Sequence, residues 1–206
     1  MFDLYTAQTP NGHKVAIALE ELTLPYQVHL VDIFQGEQFK PEFLQLNPNH
    51  QIPVLVNSQM GETLFESGAI LLYLAELTGQ LLPVSATQRH QAWQWLFFEG
   101  AVFGPTVRRL ALQRNQLSHL DPAVIDPVRG EQEVMRLFGV LEGRLDQDYI
   151  AGDYSVADIS LWPWVNLTER LGLSLVDFPR LVAWRERVRT RPAVLRGLQA
   201  TQPIIV

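Results

Sequence analysis

At 206 residues, 47% hydrophobic and 18% charged, the chain has room for one large domain or two small ones and is apolar enough to bury a core. A net charge of −6 argues against a basic surface for nucleic acid and against a polybasic membrane patch. With no cysteine there are no disulfide staples, thiolate metal sites or protein-borne thiol nucleophile, so any thiol chemistry needs sulfur brought by a ligand.

Phe2 to Tyr5 is a short β-prone run. From Asn11 an apolar stripe at helical spacing follows, through Val15, Ala18, Leu19 and Leu22, and ends before Pro25. Tyr26 to Val31 alternates as a second strand, and Pro41 to Leu46 makes a short helix halted ahead of Pro48. Ile52 and Pro53 open a third strand, Val54 to Val56. A turn over Asn57 to Gly61 leads into a fourth, Thr63 to Phe65, and then an apolar helix runs from Ser67 to Leu77. This β-α-β-α-β-β-α order over residues 1–80 implies a mixed sheet with helices packed on it. Residues 81–87, with Pro83, read as a linker. From 88 to 206 only helical patterns occur, over 88–114, 127–147, 156–171, 179–190 and 193–199, with breaks at Asp121-Pro122 and Asp126-Pro127. An α/β domain followed by an all-helical one is the expected fold class. The longest apolar run, Gly68 to Leu74, falls well short of the roughly 18 residues of a membrane span. The opening MFDLYTAQ lacks the layout of a secretion signal, so a cytoplasmic location is expected.

Three motifs carry chemistry. In TPNGHKV, Pro10 cannot donate a backbone hydrogen bond and Asn11 is a favoured N-cap, so Thr9 and Asn11 place a hydroxyl and an amide at the positive end of the first helix. A capped helix and nothing more is the plain alternative. In the hairpin segment, Glu66 and Ser67 bring a carboxylate and a hydroxyl to a helix N-terminus, where free N–H groups favour a negatively charged ligand group. Their plain reading is an N-cap with a dipole-matched acid, and on its own Pro53 reads as an ordinary trans proline entering an edge strand. In GDYSVADI, Ser155 and Asp158 form a capping box, a structural device. The aromatics Trp93, Trp95, Phe97, Phe98, Phe103, Trp162 and Trp164 read as core or subunit interface, and the five histidines show no metal-ligand spacing.

Together, in this order and spacing, the QIP step, FESGAILLYL and YSVADIS resemble the cytosolic glutathione transferases over nearly the whole chain. TPNGHKV, GEQFKPEFL and FESGAILLYLAE look like the Nu class, which includes glutathione-dependent disulfide-bond oxidoreductases and a yeast nitrogen regulator. The resemblance implies a thioredoxin-like glutathione-binding domain, a helical domain and a homodimer. It implies a cis Pro53, with the Ile52 backbone meeting the cysteinyl part of glutathione like an added strand. Glu66 and Ser67 would hold the γ-glutamyl end, Gln38, His50 and Gln51 would lie near the glycyl end, and Arg129 stands where an arginine reaches the ligand from the helical domain. Thr9 and Asn11 would lie beside the sulfur. Gln51 departs from relatives that carry a lysine there.

The expected co-substrate is therefore glutathione, without a metal, and its partner a small disulfide or an electrophile. Lowering the thiol pKa from about 8.5 by about two units requires roughly 2.7 kcal/mol. A helix N-terminus supplies only about 0.3–1 kcal/mol, whereas a hydrogen bond to a charged acceptor adds about 1.5–3 kcal/mol. Thr9 and Asn11 are thus the expected thiolate stabilisers. Tyr5 is a rival donor, but its place within the strand pattern suggests that its ring packs. Disulfide reduction is the leading expectation; conjugation to electrophiles, and a glutathione-binding regulator with little turnover, are the alternatives.

Overall fold

The computed structural model describes residues 1–115 and 126–202, and the expected break at Asp121-Pro122 lies outside them. The chain divides into two compact units, Met1–Gln80 with the residues from Arg189 onward, and Leu81–Val188.

In the first unit, β1 (Phe2–Thr6), α1 (Pro10–Glu21), β2 (Tyr26–Leu30), α2 (Pro41–Leu46), β3 (Val54–Asn57), β4 (Glu62–Phe65) and α3 (Ser67–Thr78) follow in chain order. The sheet has the strand order β2-β1-β3-β4. β1 runs parallel to β2 and antiparallel to β3, with Leu4 opposite both Val28 and Leu55. β3 and β4 form the hairpin, Leu55 facing Leu64. Leu4, Val15, Ile17, Leu19, Leu55, Ile70, Leu71 and Leu74 are buried between sheet and helices. A second apolar cluster, Val31, Phe43 and Val54, receives Tyr5 and Ile52, and it anchors the loop that precedes β3.

The last helix, α9 (Pro192–Ala200), belongs to this first unit, whereas the helical patterns from 88 onward suggested one uninterrupted domain to the end of the chain. The reason is a close crossing with α1. A Cβ on Gly197 would fall 2.7 Å from the Ile17 nitrogen, so only glycine lets the two backbones approach this far. Arg191 grips Glu21 through two parallel hydrogen bonds, 2.6 and 2.9 Å. Arg196 Nε donates to Glu20 at 2.6 Å, and the Tyr26 hydroxyl donates to the other Glu20 oxygen at 2.9 Å.

The second unit contains α4 (Ala86–Phe98), α5 (Gly104–Arg114), α6 (Pro127–Arg144), α7 (Val156–Arg170) and α8 (Pro179–Arg189). The single helical pattern expected over 88–114 is interrupted by one wide turn, Glu99–Phe103. There the buried Glu99 carboxylate accepts a 2.5 Å bond from Ser160. Phe103, Phe138, Trp162 and Trp184 fill the interior of this unit, while Trp93 and Phe97 stay exposed on α4. The expected capping box opens α7: Asp158 accepts from the backbone of Ser155 and Ile150, each at 3.0 Å, and from Trp184 Nε1 at 2.8 Å. Burial pushes its carboxyl up to about 6, against the pull of these donors. Among the described residues no helix is long and apolar enough to cross a membrane.

Candidate functional site

The site begins at the N-terminus of α1. Thr9, in extended conformation, is the N-cap, and its Oγ1 accepts a 3.1 Å bond from the Gly12 amide. Pro10 occupies the first helical position, where a missing N–H costs nothing and its fixed φ suits the helix. The sequence favoured Asn11 as the cap. Because Pro10 sets the helix start, the cap moves back to Thr9, and Asn11 sits inside the first turn with its side chain released from capping. Gly12 is required by close packing: a Cβ there would lie 2.2 Å from the Ala7 carbonyl oxygen and 2.4 Å from Thr6 Oγ1.

The second wall is the loop before β3. Buried Asn47 organises it, its Nδ2 donating to the Gln51 carbonyl at 2.7 Å while its Oδ1 accepts from the Asn49 amide at 2.9 Å. The His50 amide closes a turn onto the Asn47 carbonyl at 3.0 Å, and His50 itself takes a positive φ of 46°. The Ile52–Pro53 bond is cis, as the family resemblance implied and contrary to the ordinary trans proline suggested by the residues alone.

The third wall is the start of α3. β4 ends at Phe65 and α3 begins at Ser67, so Glu66 alone must turn the corner, with φ 69° and ψ 110°. That is a strained conformation for a residue with a Cβ, of the order of 1–3 kcal/mol. Glu66 itself takes the N-cap position without a side-chain hydrogen bond to the first turn, Ser67 becomes the first helical residue, and the Glu66 side chain is exposed. Ser67 is buried, and its Oγ accepts a 3.4 Å hydrogen bond from Lys14 Nζ across the interior of the unit.

These walls enclose a cavity of about 160 Å³ lined by Asn11, Asn47, Gln51, Ile52, Pro53, Glu66 and Ser67. Six residues singled out in the sequence thus share one space. Thr9, two residues before Asn11, stands outside the lining as the cap. Gln38 and His50 also lie outside it. Gln38 Nε2 donates to the Ile33 carbonyl at 3.2 Å, and the His50 ring packs on Phe39 with centroids 5.0 Å apart. Gln38 Oε1 and His50 Nδ1 are buried without a hydrogen-bond partner among the described residues. Arg129 belongs to the other unit, exposed on the first turn of α6. Tyr5 is committed elsewhere, stacked on His29 with centroids 4.6 Å apart and packed against the Val31 cluster.

Two residues passed unnoticed in the sequence. Asn47 had a local signal, an Asn-Pro step of the kind that favours side-chain-to-backbone turns. Lys14 had a weaker one, a lysine beside the apolar stripe of Val15 and Ala18, and lysines are almost never fully buried. Chemically, the cavity offers a neutral amide donor, a loop backbone ahead of a cis proline, and a carboxylate beside a serine at a helix N-terminus. That set suits an elongated ligand carrying both an amine and a carboxylate at one end. Among the described residues no cluster of histidine, aspartate or glutamate is arranged to hold a metal.

The comparisons with known proteins agree with this geometry. Residues 2–76 match the glutathione S-transferase N-terminal domain and residues 124–192 its C-terminal domain. The disulfide-bond oxidoreductase YfcG of Escherichia coli is 42% identical, over 98% of this chain and 96% of its own. A glutathione transferase from Burkholderia graminis, solved with two glutathione molecules bound per subunit, is 40% identical with a TM-score of 0.87, over 100% of this chain and 89% of its own. Another, from Pseudomonas putida, carries one glutathione disulfide per subunit and is 36% identical with a TM-score of 0.86, over 96% of this chain and 90% of its own.

Proposed function

The chain belongs to the glutathione S-transferase family, and from that premise we propose that it reduces disulfides with glutathione held in the cavity beside α1. The observation that carries the reading is the meeting of Asn11, the cis Ile52–Pro53 loop, Glu66 and Ser67 around one space in a chain without cysteine. The relatives' bound glutathione and the activity named for YfcG support it.

In this reading the zwitterionic γ-glutamyl end meets Glu66 through its ammonium and Ser67 through its carboxylate. The extended backbone of the tripeptide runs along Ile52, which directs the cysteinyl sulfur toward the first turn of α1. Asn11 donates from its carboxamide and Thr9 from its hydroxyl, whose oxygen is already engaged by Gly12. One such bond, at about 1.5–3 kcal/mol, together with the helix end at about 0.3–1 kcal/mol, gives a sum that brackets the roughly 2.7 kcal/mol needed to bring the thiol pKa from about 8.5 to about 6.5.

The thiolate attacks one sulfur of the substrate disulfide; the old S–S bond breaks as the new one forms, and the departing thiolate takes a proton from solvent. A second glutathione thiolate then attacks the mixed disulfide at the glutathione sulfur. The second substrate thiol and glutathione disulfide leave, and the substrate has gained the electrons lost by the two glutathiones. The protein contributes binding, orientation and thiolate stabilisation, and no proton shuttle.

In this reading residues 1–80, with α9 packed on α1, form the glutathione-binding domain. A reducing cytoplasm is the compartment that keeps glutathione available as the electron donor. The chain acts as a homodimer, supported by Trp93 and Phe97, exposed about one turn apart on α4 where a monomer gains nothing from them. Sedimentation at micromolar concentration is expected to give about twice 23.4 kDa; a 23.4 kDa species contradicts the dimer. The activity itself is tested by steady-state reduction of a small disulfide coupled to consumption of glutathione, run beside conjugation to chlorodinitrobenzene. Disulfide reduction is expected to dominate. Conjugation without disulfide reduction would overturn the reading.

A further inference from the structure

Lys14 is a full side chain of interior lysine, 1% exposed, on a helix whose next five residues are also buried. Placing an ammonium group in such surroundings costs several kcal/mol unless its hydrogens find good acceptors. Its Nζ reaches Ser67 Oγ, 53 residues away in the chain, and joins the second turn of α1 to the first residue of α3. Ser67 lines the cavity and Lys14 does not, so the amine stands directly behind the cavity wall.

An ammonium group can only donate. Ser67 Oγ is therefore the acceptor in this bond, and the serine's own proton is left to point away from Lys14. The remaining direction of use is toward the cavity, where the exposed N–H groups at the start of α3 also favour negative charge. A buried positive charge one side chain behind the wall acts through a medium that screens it less than water does. Both effects favour an anionic oxygen at Ser67, and neither reaches the other end of an extended ligand.

We propose that Lys14 is the positioning residue of this site: through Ser67 it selects ligands that carry a carboxylate at the end bound by α3. The inference rests on the glutathione reading and narrows it, because glutathione has two carboxylates and only the γ-glutamyl one would answer to Lys14. The glycyl carboxylate lies too far along the peptide.

The test is calorimetric titration of the full-length wild-type protein, Lys14→Met and Lys14→Arg with three ligands: glutathione, its γ-glutamyl α-amide and its glycyl amide. Lys14→Met is expected to weaken glutathione and the glycyl amide about tenfold, and to leave the α-amide at its already weakened wild-type affinity. Lys14→Arg is expected to restore part of the loss. In turnover, the KM for glutathione rises while kcat and the pKa of the bound thiol stay put, a split that general destabilisation does not produce. Should Lys14→Met fail to fold, the wild-type protein alone still decides, because equal affinity for glutathione and its α-amide overturns the inference. So does a Lys14→Met protein that binds glutathione undiminished. Absence of glutathione binding by the wild-type protein would instead overturn the glutathione reading itself, and this inference with it.

Discussion

At its C-terminal end α1 is bound up in the fold: Glu21 is forked by Arg191, and Glu20 is shared between Arg196 and Tyr26. At its N-terminal end the same helix presents Asn11 to a cavity, with Thr9 having taken over the cap. In the proposed reading one helix thus serves as a beam at one end and a thiolate stabiliser at the other. The clamp ties down one end of the helix, and in the proposed reading a fixed helix would let the Asn11 amide meet a thiolate without first having to be ordered. Mutations at the two ends should separate accordingly, the clamped end changing stability and the cavity end changing chemistry.

The largest effect is expected where the two roles meet. Gly12→Ala puts a methyl group 2.2 Å from a backbone oxygen, so the cap loop must move. Melting should show a loss of about 3 kcal/mol, and disulfide reduction should fall along with it. Next comes Asn11→Ala, expected to lower kcat/KM for disulfide reduction about thirtyfold, close to 2 kcal/mol. Its melting temperature should hold or rise slightly, because alanine is the better helix former in a first turn. A matching drop in stability would erase the distinction between the two ends. Gly197→Ala wedges α9 off α1 at Ile17 and should cost about 1–2 kcal/mol of stability, with kcat affected far less. The smallest effect belongs to the clamp itself. A double-mutant cycle of Arg191→Ala and Glu21→Ala should return a coupling of about 1 kcal/mol in denaturant unfolding, as suits a forked but partly exposed pair. Coupling that appeared in kcat as well would mean that the clamp also tunes the chemistry.

The βαβαββα order was legible because its signals are local: an alternating strand, a stripe of Val15, Ala18 and Leu19, an Ile-Pro step, a turn bounded by Asn57 and Gly61. Most of the cavity lining could be read for the same reason, since Ile52, Pro53, Glu66 and Ser67 lie within one short stretch. What escaped depends on distant residues. Nothing near Gly197 announces that it meets Ile17, and a separation of 170 residues hides the pairing of Glu21 with Arg191. The burial of Lys14 depends on α3, which supplies Ser67 as its acceptor. The wide turn at Glu99 is silent for a similar reason, its carboxylate being engaged by Ser160 from 61 residues on. Two local readings also moved. Pro10 shifted the cap from Asn11 to Thr9, and the tight corner between β4 and α3 put the cap position on Glu66, with no side-chain bond, and Ser67 inside the helix.

The central claim is that Asn11, and not the helix end alone, holds the sulfur of bound glutathione as a thiolate. Ultraviolet thiolate absorbance of the saturated complex, followed against pH, tests it most directly. The wild-type complex should titrate near pH 6.5, roughly two units below the free thiol, and Asn11→Ala should bring it back up by about one unit or more. A bound thiol that titrates at the same pH in both proteins would contradict the account.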